Sequence, residues 1–392
     1  MEIDFHNKSY NTPLIYIIAG EPSGDILGAK LIKALKQLTN QNINFAGVGG
    51  LEMEKTGLIS LFPIDELSVM GITEIVPRLP RLLKRIKQTV DDIFKIRPNI
   101  LITIDSPDFT LRIARNVKKM AIPLIHYVAP SVWAWRPKRA IKMGKFVDHV
   151  LTLLPFEPPY FTNVGLNATF VGHPVIESAA MNVNPKSFRI NHGISDTKKV
   201  IVLLPGSRIG EVNKHIKIFS ETLDLIKSKI KNFHIVCIVN EQTANIVVQS
   251  ALNWPFPYTI TSNPRIKFDA MASGNIALAA SGTVALELAC VGTPSVITYK
   301  INFFSAWIGK LLIKVKYVNL INLILEREAI PEYLQEKCNS KSLSLMLIKL
   351  VRSPNLLLQQ KKDYLSAIET LKIKNGDIPS ISAAKIILRS LK

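Results

Sequence analysis

Cysteine is scarce. Only Cys237, Cys290 and Cys338 occur in 392 residues, and they stand far apart. With no Cys-x-x-Cys pair, a disulfide framework and a zinc ribbon are both excluded, and a reducing cytoplasm fits. Acidic residues are also few: 30 Asp plus Glu face 49 Lys plus Arg, a net charge of +19. A field of that sign favours polyanions, whether nucleic acid, an anionic membrane face or phosphorylated substrates. No RRM, KH or zinc-finger pattern is present, so nucleic acid is not expected as a partner. The Walker-type loop, His-Glu-x-x-His and Gly-x-Ser-x-Gly are all missing, which argues against P-loop ATP hydrolysis, a zincin and a serine hydrolase. Gly47-Val48-Gly49-Gly50 lacks the third glycine of the dinucleotide fingerprint. The first eleven residues carry Glu2 and Asp4 where a secretory signal wants basic residues, so none is expected. Long apolar runs are lacking as well. Ile276 to Tyr299 has Glu287 as its only charge, but Gly282, Gly292 and Pro294 divide it. Strand, turn, helix, turn and strand fit better there than a membrane span.

What remains is a chain long enough for two or three domains and 47% hydrophobic. Short apolar runs alternate with amphipathic patterns. Leu14–Ala19, Ile100–Ile104, Pro123–Val128, Val147–Leu154, Val200–Leu204, His234–Val239, Asn275–Ala279 and Ser295–Tyr299 read as buried strands. Leu27, Leu31 and Leu35 mark one helix face. Val212, Ile216, Phe219, Leu223, Ile226 and Ile230 mark another. The alternation predicts an α/β fold with parallel sheets. There are too many strands for one sheet. A polar, Asn-rich interruption between Gly172 and Lys199 predicts two Rossmann-like halves, residues 1–176 and 177–355. A strandless helical tail, 356–392, is expected to pack back on the first half.

Ligands of open parallel sheets bind at the carboxyl ends of strands. In the second half, Val200–Leu204 runs into Pro205-Gly206-Ser207-Arg208. Gly206 permits close approach of a ligand, the next helix offers free N–H groups, and Arg208 is a bidentate phosphate donor. Ser281-Gly282-Thr283 repeats the device, and Glu287, one turn on, is placed to accept ribose hydroxyls. Each turn also reads as a capped strand–helix connection. In the first half, Asp105 follows a strand and is a candidate general base or an Asx turn. Asp108 fits a helix cap. Glu21 and Asp25 could bind a sugar hydroxyl or cap the first helix, and Ser23 could hold a phosphate. His126 reads as a hydrogen-bonded core histidine.

Two segments mix apolar and basic residues. Val69, Met70, Ile72, Ile75 and Val76 lead into Arg78, Arg81, Lys84, Arg85 and Lys87. Trp307, Lys310, Lys314 and Lys316 form the second. Both fit interfacial membrane contact and, equally, an ordinary helix with a solvated basic face.

Several motifs occur in order: Ala19-Gly20-Glu21-Pro22-Ser23-Gly24-Asp25, Val69-Met70-Gly71, Asp105-Ser106-Pro107-Asp108-Phe109 and the block from His126 through Ser131-Val132-Trp133-Ala134-Trp135-Arg136. Leu154-Pro155-Phe156-Glu157, Gly172-His173-Pro174, Leu204 to Arg208 and Ser281 to Thr283 follow. Over roughly residues 14–340 the chain closely resembles the lipid-A-disaccharide synthases, bacterial glycosyltransferases.

The resemblance implies a GT-B fold with an interdomain cleft. It implies condensation of UDP-2,3-diacylglucosamine with 2,3-diacylglucosamine 1-phosphate (lipid X), giving a β-1,6 disaccharide 1-phosphate and UDP. Asp105 is then the expected base of an inverting displacement. The nucleotide set is Gly206, Ser207, Arg208, Ser281, Gly282, Thr283, Glu287 and Asn322, the last by its match to a family asparagine. Glu21, Ser23, Asp25, Ser131, Trp133 and Arg136 are assigned to the acceptor side of the cleft. No metal or cofactor is implied. The implied partners are the two lipid substrates and the cytoplasmic leaflet of the inner membrane, with a homodimer admitted. The protein would be cytoplasmic and peripherally bound. Another GT-B UDP-sugar transferase or a UDP-GlcNAc epimerase is the alternative.

Overall fold

The computed structural model describes residues 12–67, 72–300 and 315–391, with the side chains of 72–79 left out. The chain divides into two compact units, Met1–Pro174 with Lys372–Lys392, and Val175–Leu371.

The first unit holds β1 (Leu14–Ala19), α1 (Pro22–Leu38), β2 (Asn44–Val48), α2 (Leu51–Glu54), α3 (Ile72–Ile96), β3 (Ile100–Ile104) and α4 (Pro107–Val117). Then come β4 (Leu124–Tyr127), α5 (Lys138–Met143), β5 (His149–Thr152), α6 (Pro159–Thr162) and β6 (Asn167–Phe170). Its sheet runs β2-β1-β3-β4-β5-β6 with every pairing parallel. All five residues of β3, Ile-Leu-Ile-Thr-Ile, are buried. Helices covering both faces explain why central strands read as unbroken apolar runs.

The second unit holds α7 (Pro185–Asn191), β7 (Lys199–Leu204), α8 (Ile209–Ile226), β8 (Phe233–Ile238), α9 (Glu241–Ala251), β9 (Tyr258–Thr261) and α10 (Lys267–Ala272). β10 (Ile276–Ala280), α11 (Val284–Val291), β11 (Ser295–Tyr299) and β12 (Glu332–Leu334) complete its sheet, in the order β12-β11-β10-β7-β8-β9. That is the doubly wound Rossmann order, with its reversal between β7 and β10. Val212, Phe219, Leu223 and Ile226 of α8 sink into the core against Ile201 and Leu203. The apolar stretch 276–299 folds as strand, helix and strand. No helix among the described residues is long and apolar enough to cross a membrane.

The helical tail divides near Leu371 rather than at 356. The helix Pro354–Thr370 belongs to the second unit. There Gln360 accepts the Ser295 amide at 2.9 Å, the Tyr364 hydroxyl meets the Ser295 hydroxyl at 2.9 Å, and Asp363 pairs with Arg327 at 2.6 Å. Only the last helix, Pro379–Ser390, joins the first unit. It buries Ala383, Ala384 and Ile387 in the cluster that holds Leu31 and Leu35 of α1.

Candidate functional site

Each unit carries its polar groups at the reversal point of its own sheet. In the first unit that point lies between β1 and β3. The chain leaves β3 through two consecutive left-handed residues, Asp105 (φ 51°) and Ser106 (φ 42°), before α4 begins. Non-glycine residues hold this conformation only where the surroundings impose it. Here the Asp105 amide donates to the Tyr127 carbonyl at 2.9 Å. Opposite, a Cβ on Gly20 would lie 2.4 Å from Ser106 Cβ, so only glycine lets β1 and the elbow approach. Asp105 Oδ1 accepts the Ser106 amide at 2.8 Å, and Oδ2 has no partner among the described residues. Burial raises its pKa from the ordinary aspartate value, opposed by that amide bond.

The neighbouring loop leaves β4. His126 is fully buried, its Nδ1 2.8 Å from Thr103 Oγ1. Burial, and next the charge of Arg139, push it down to about 3, so it is a neutral core histidine. Trp133 donates from Nε1 to Glu157 Oε1 at 3.1 Å and packs edge-on against Phe156. Glu157 Oε2 accepts the amides of Leu153 and Leu154. Glu157 is therefore the brace of the tryptophan loop. Burial pushes its pKa up to about 7, against the pull of those three donors. A carboxyl raised on folding contributes stability at low pH that is lost as pH rises from about 4.5 to about 7. Glu157→Gln should flatten that limb in thermal melts, and the Trp133 indole N–H resonance should titrate near pH 7 in the native protein alone.

Asp25 is buried beside the first turn of α2. It caps α2 rather than α1: Oδ1 accepts the amides of Gly50 (2.8 Å) and Met53 (3.0 Å), and Oδ2 that of Glu52 (3.0 Å). Asp25→Ala should cost about 1–3 kcal/mol in chemical denaturation, with catalytic constants per folded molecule unchanged. Glu21 is the half-buried residue before α1, and Ser23 and Ser131 are exposed. Asp25 also borders a cavity of about 500 Å³ whose lining includes Glu52, Glu54 and Asp65.

In the second unit a cavity of about 660 Å³ opens at the carboxyl ends of β7, β8, β9 and β10. Gly206 and Ser207 line it, with Ser281, Gly282, Thr283 and Glu287 from the β10 side. Two turns far apart in sequence thus meet across the sheet reversal. Gly206 has φ 122°, and a Cβ there would press on Glu211 at 2.9 Å. Both oxygens of Glu287 receive Lys267 Nζ at 2.7 Å. Asn240, Asn263 and Lys267 also line the cavity, and no motif announced them. Arg208 precedes α8, lies 3.5 Å from Glu211 and is not part of the lining. Asn322 is not part of it either. Its Oδ1 accepts the amides of Ala329 and Ile330, and its Nδ2 donates to the Ile330 carbonyl and Glu332. Fully buried, that amide staples its own loop.

Of the basic segment, Val69 and Met70 lie outside the described residues, as do the side chains of Ile72 and Arg78. Trp307, Lys310 and Lys314 lie outside them too. Arg81, Leu83 and Lys84 are exposed on α3. Arg85 instead binds Glu66 through Nε and Nη2 and covers the Phe62 ring at 4.6 Å.

Two Rossmann-like parallel sheets, with a glycine-edged cavity at the reversal of the second, place the chain in the GT-B fold class. Solved structures agree on the fold. The Staphylococcus aureus MnaA–UDP complex has a TM-score of 0.64 at 14% identity, covering 96% of this chain and 95% of that one. Acinetobacter baumannii MurG has 0.60 at 13% identity, covering 96% and 99%. The lipid-A-disaccharide synthetase family model matches residues 15–385. The lipid-A-disaccharide synthase of Rhodospirillum centenum is 44% identical over 96% of this chain and 94% of its own. That of Rickettsia canadensis is 39% identical over 95% and 96%. The chain belongs to the lipid-A-disaccharide synthase family and is a glycosyltransferase of lipid A biosynthesis.

Proposed function

We propose that the second unit binds UDP-2,3-diacylglucosamine in its 660 Å³ cavity and that Asp105 activates the acceptor, lipid X. One observation carries the reading: a carboxylate with a free oxygen stands on a strained elbow at the reversal of the first sheet. Asp105 takes the proton of the acceptor 6-hydroxyl as that oxygen attacks the anomeric carbon. The anomeric configuration inverts, and UDP departs with the bonding pair. The amides after β7 and β10 receive the diphosphate charge, with Arg208 beside them. Glu287 accepts the ribose hydroxyls. Exposed Arg81, Leu83 and Lys84 support attachment to the anionic cytoplasmic leaflet of the inner membrane, where both substrates reside.

The test follows radiolabelled lipid X with UDP-diacylglucosamine and measures disaccharide and UDP together. Equimolar release supports the reading. Conversion of soluble UDP-GlcNAc with no lipid acceptor would instead establish an epimerase.

A further inference from the structure

Arg136 is unlike its neighbours. Arg85 is committed to Glu66, and Arg139 donates to Asp108 at 2.7 Å. Arg136 is exposed, has no carboxylate partner among the described residues, and lies with its guanidinium 4.2 Å over the Trp135 ring. Arg139 approaches the same indole at 5.9 Å. One aromatic plate therefore orders two guanidiniums, of which only one is neutralised. Stacking fixes the plane of a guanidinium while leaving its N–H edge free. Arg136 itself is left-handed (φ 53°), so the backbone as well as the ring sets its direction. Lys138, exposed, adds charge close by.

The placement has a chemical meaning. The Trp135 loop leaves β4 and the Asp105 elbow leaves β3, which are adjacent strands at one end of one sheet. Asp108, the anchor of Arg139, is three residues from Asp105. A cavity elsewhere in this unit is edged by Glu52, Glu54 and Asp65, a lining of the wrong sign for an anion. We propose that Arg136, held over the Trp135 ring, binds the phosphomonoester of the acceptor while its hydroxyl is presented to Asp105. The inference rests on the acceptor being lipid X. It assigns to a named side chain the group that separates lipid X from its dephosphorylated analogue.

The test is a substrate–mutant cycle on the full chain in detergent. Two acceptors are compared, 2,3-diacylglucosamine 1-phosphate and 2,3-diacylglucosamine, with UDP-diacylglucosamine as donor. In Arg136→Ala the KM for the phosphorylated acceptor should rise about 10–100-fold, the worth of a lost charge-assisted pair. The KM for the dephosphorylated acceptor and for the donor should stay put. Arg136→Lys should recover part of the loss, and Trp135→Leu should show a partial loss with the same selectivity. Equal losses with both acceptors would overturn the proposal. So would a parallel fall in sedimentation with phosphatidylglycerol vesicles, which would assign Arg136 to bilayer phosphate. A wild-type enzyme that uses neither acceptor would overturn the functional reading itself, whereas a wild-type enzyme indifferent to the phosphate would overturn the anion site alone.

Discussion

Asp105→Asn should lower turnover by about 10²–10⁴-fold while UDP-sugar affinity, measured by calorimetry, stays within a factor of two or so. The size follows from removing a general base while keeping its shape and the Oδ1 bond to the Ser106 amide. The pH profile supplies an independent check. Burial raises the pKa of Asp105, and only the ionised form accepts a proton. Activity should therefore fall as pH drops through that raised value, at a higher pH than an exposed aspartate gives. The acid limb should vanish from the residual activity of the Asn variant. Normal turnover in that variant would remove Asp105 from the mechanism.

Glu287→Ala should raise the donor KM by about 10–100-fold, because a carboxylate that accepts hydroxyl hydrogen bonds contributes on that scale. Lys267→Met tests the arrangement more sharply. Lys267 Nζ touches both oxygens of Glu287, so its removal leaves a half-buried carboxylate without its counter-ion. If Lys267 works by aiming Glu287 at ribose, Lys267→Met should weaken uridine, UMP and UDP by the same factor, about tenfold. If it reaches the diphosphate, uridine affinity should hold and UDP affinity alone should fall. Fluorescence competition with the three ligands separates the cases.

The legibility of this chain follows burial. Leu14–Ala19, Ile100–Ile104 and Ser295–Tyr299 are strands to the residue, since strands covered on both faces have no solvent-facing position to break the run with a charge. β6, β9 and β12 escaped notice because they are edge strands of three or four residues, mostly half-exposed, with a mixed pattern. The turns at 206 and 281 were legible because they follow apolar runs. Asn240, Asn263 and Lys267 were not, being ordinary polar residues until β8 and β9 are laid beside β7. The bonds of Asn322 to Ala329, Ile330 and Glu332 were not legible either, since those partners lie seven to ten residues on and no local pattern marks them. Arg85 looked like free surface charge because Glu66, its partner, lies nineteen residues away.

The helix Pro379–Ser390 puts a constraint on the order of synthesis. It supplies Ala383, Ala384 and Ile387 to a core whose other members include residues of β1, α1, β3, β4 and β5, all of which emerge earlier. During translation the second unit can close on itself while the first still waits for its final helix. An N-terminal half expressed to Pro174 would therefore expose an apolar strip on α1. Loss of the last dozen residues should harm the unit holding Asp105 before the one holding the nucleotide cavity.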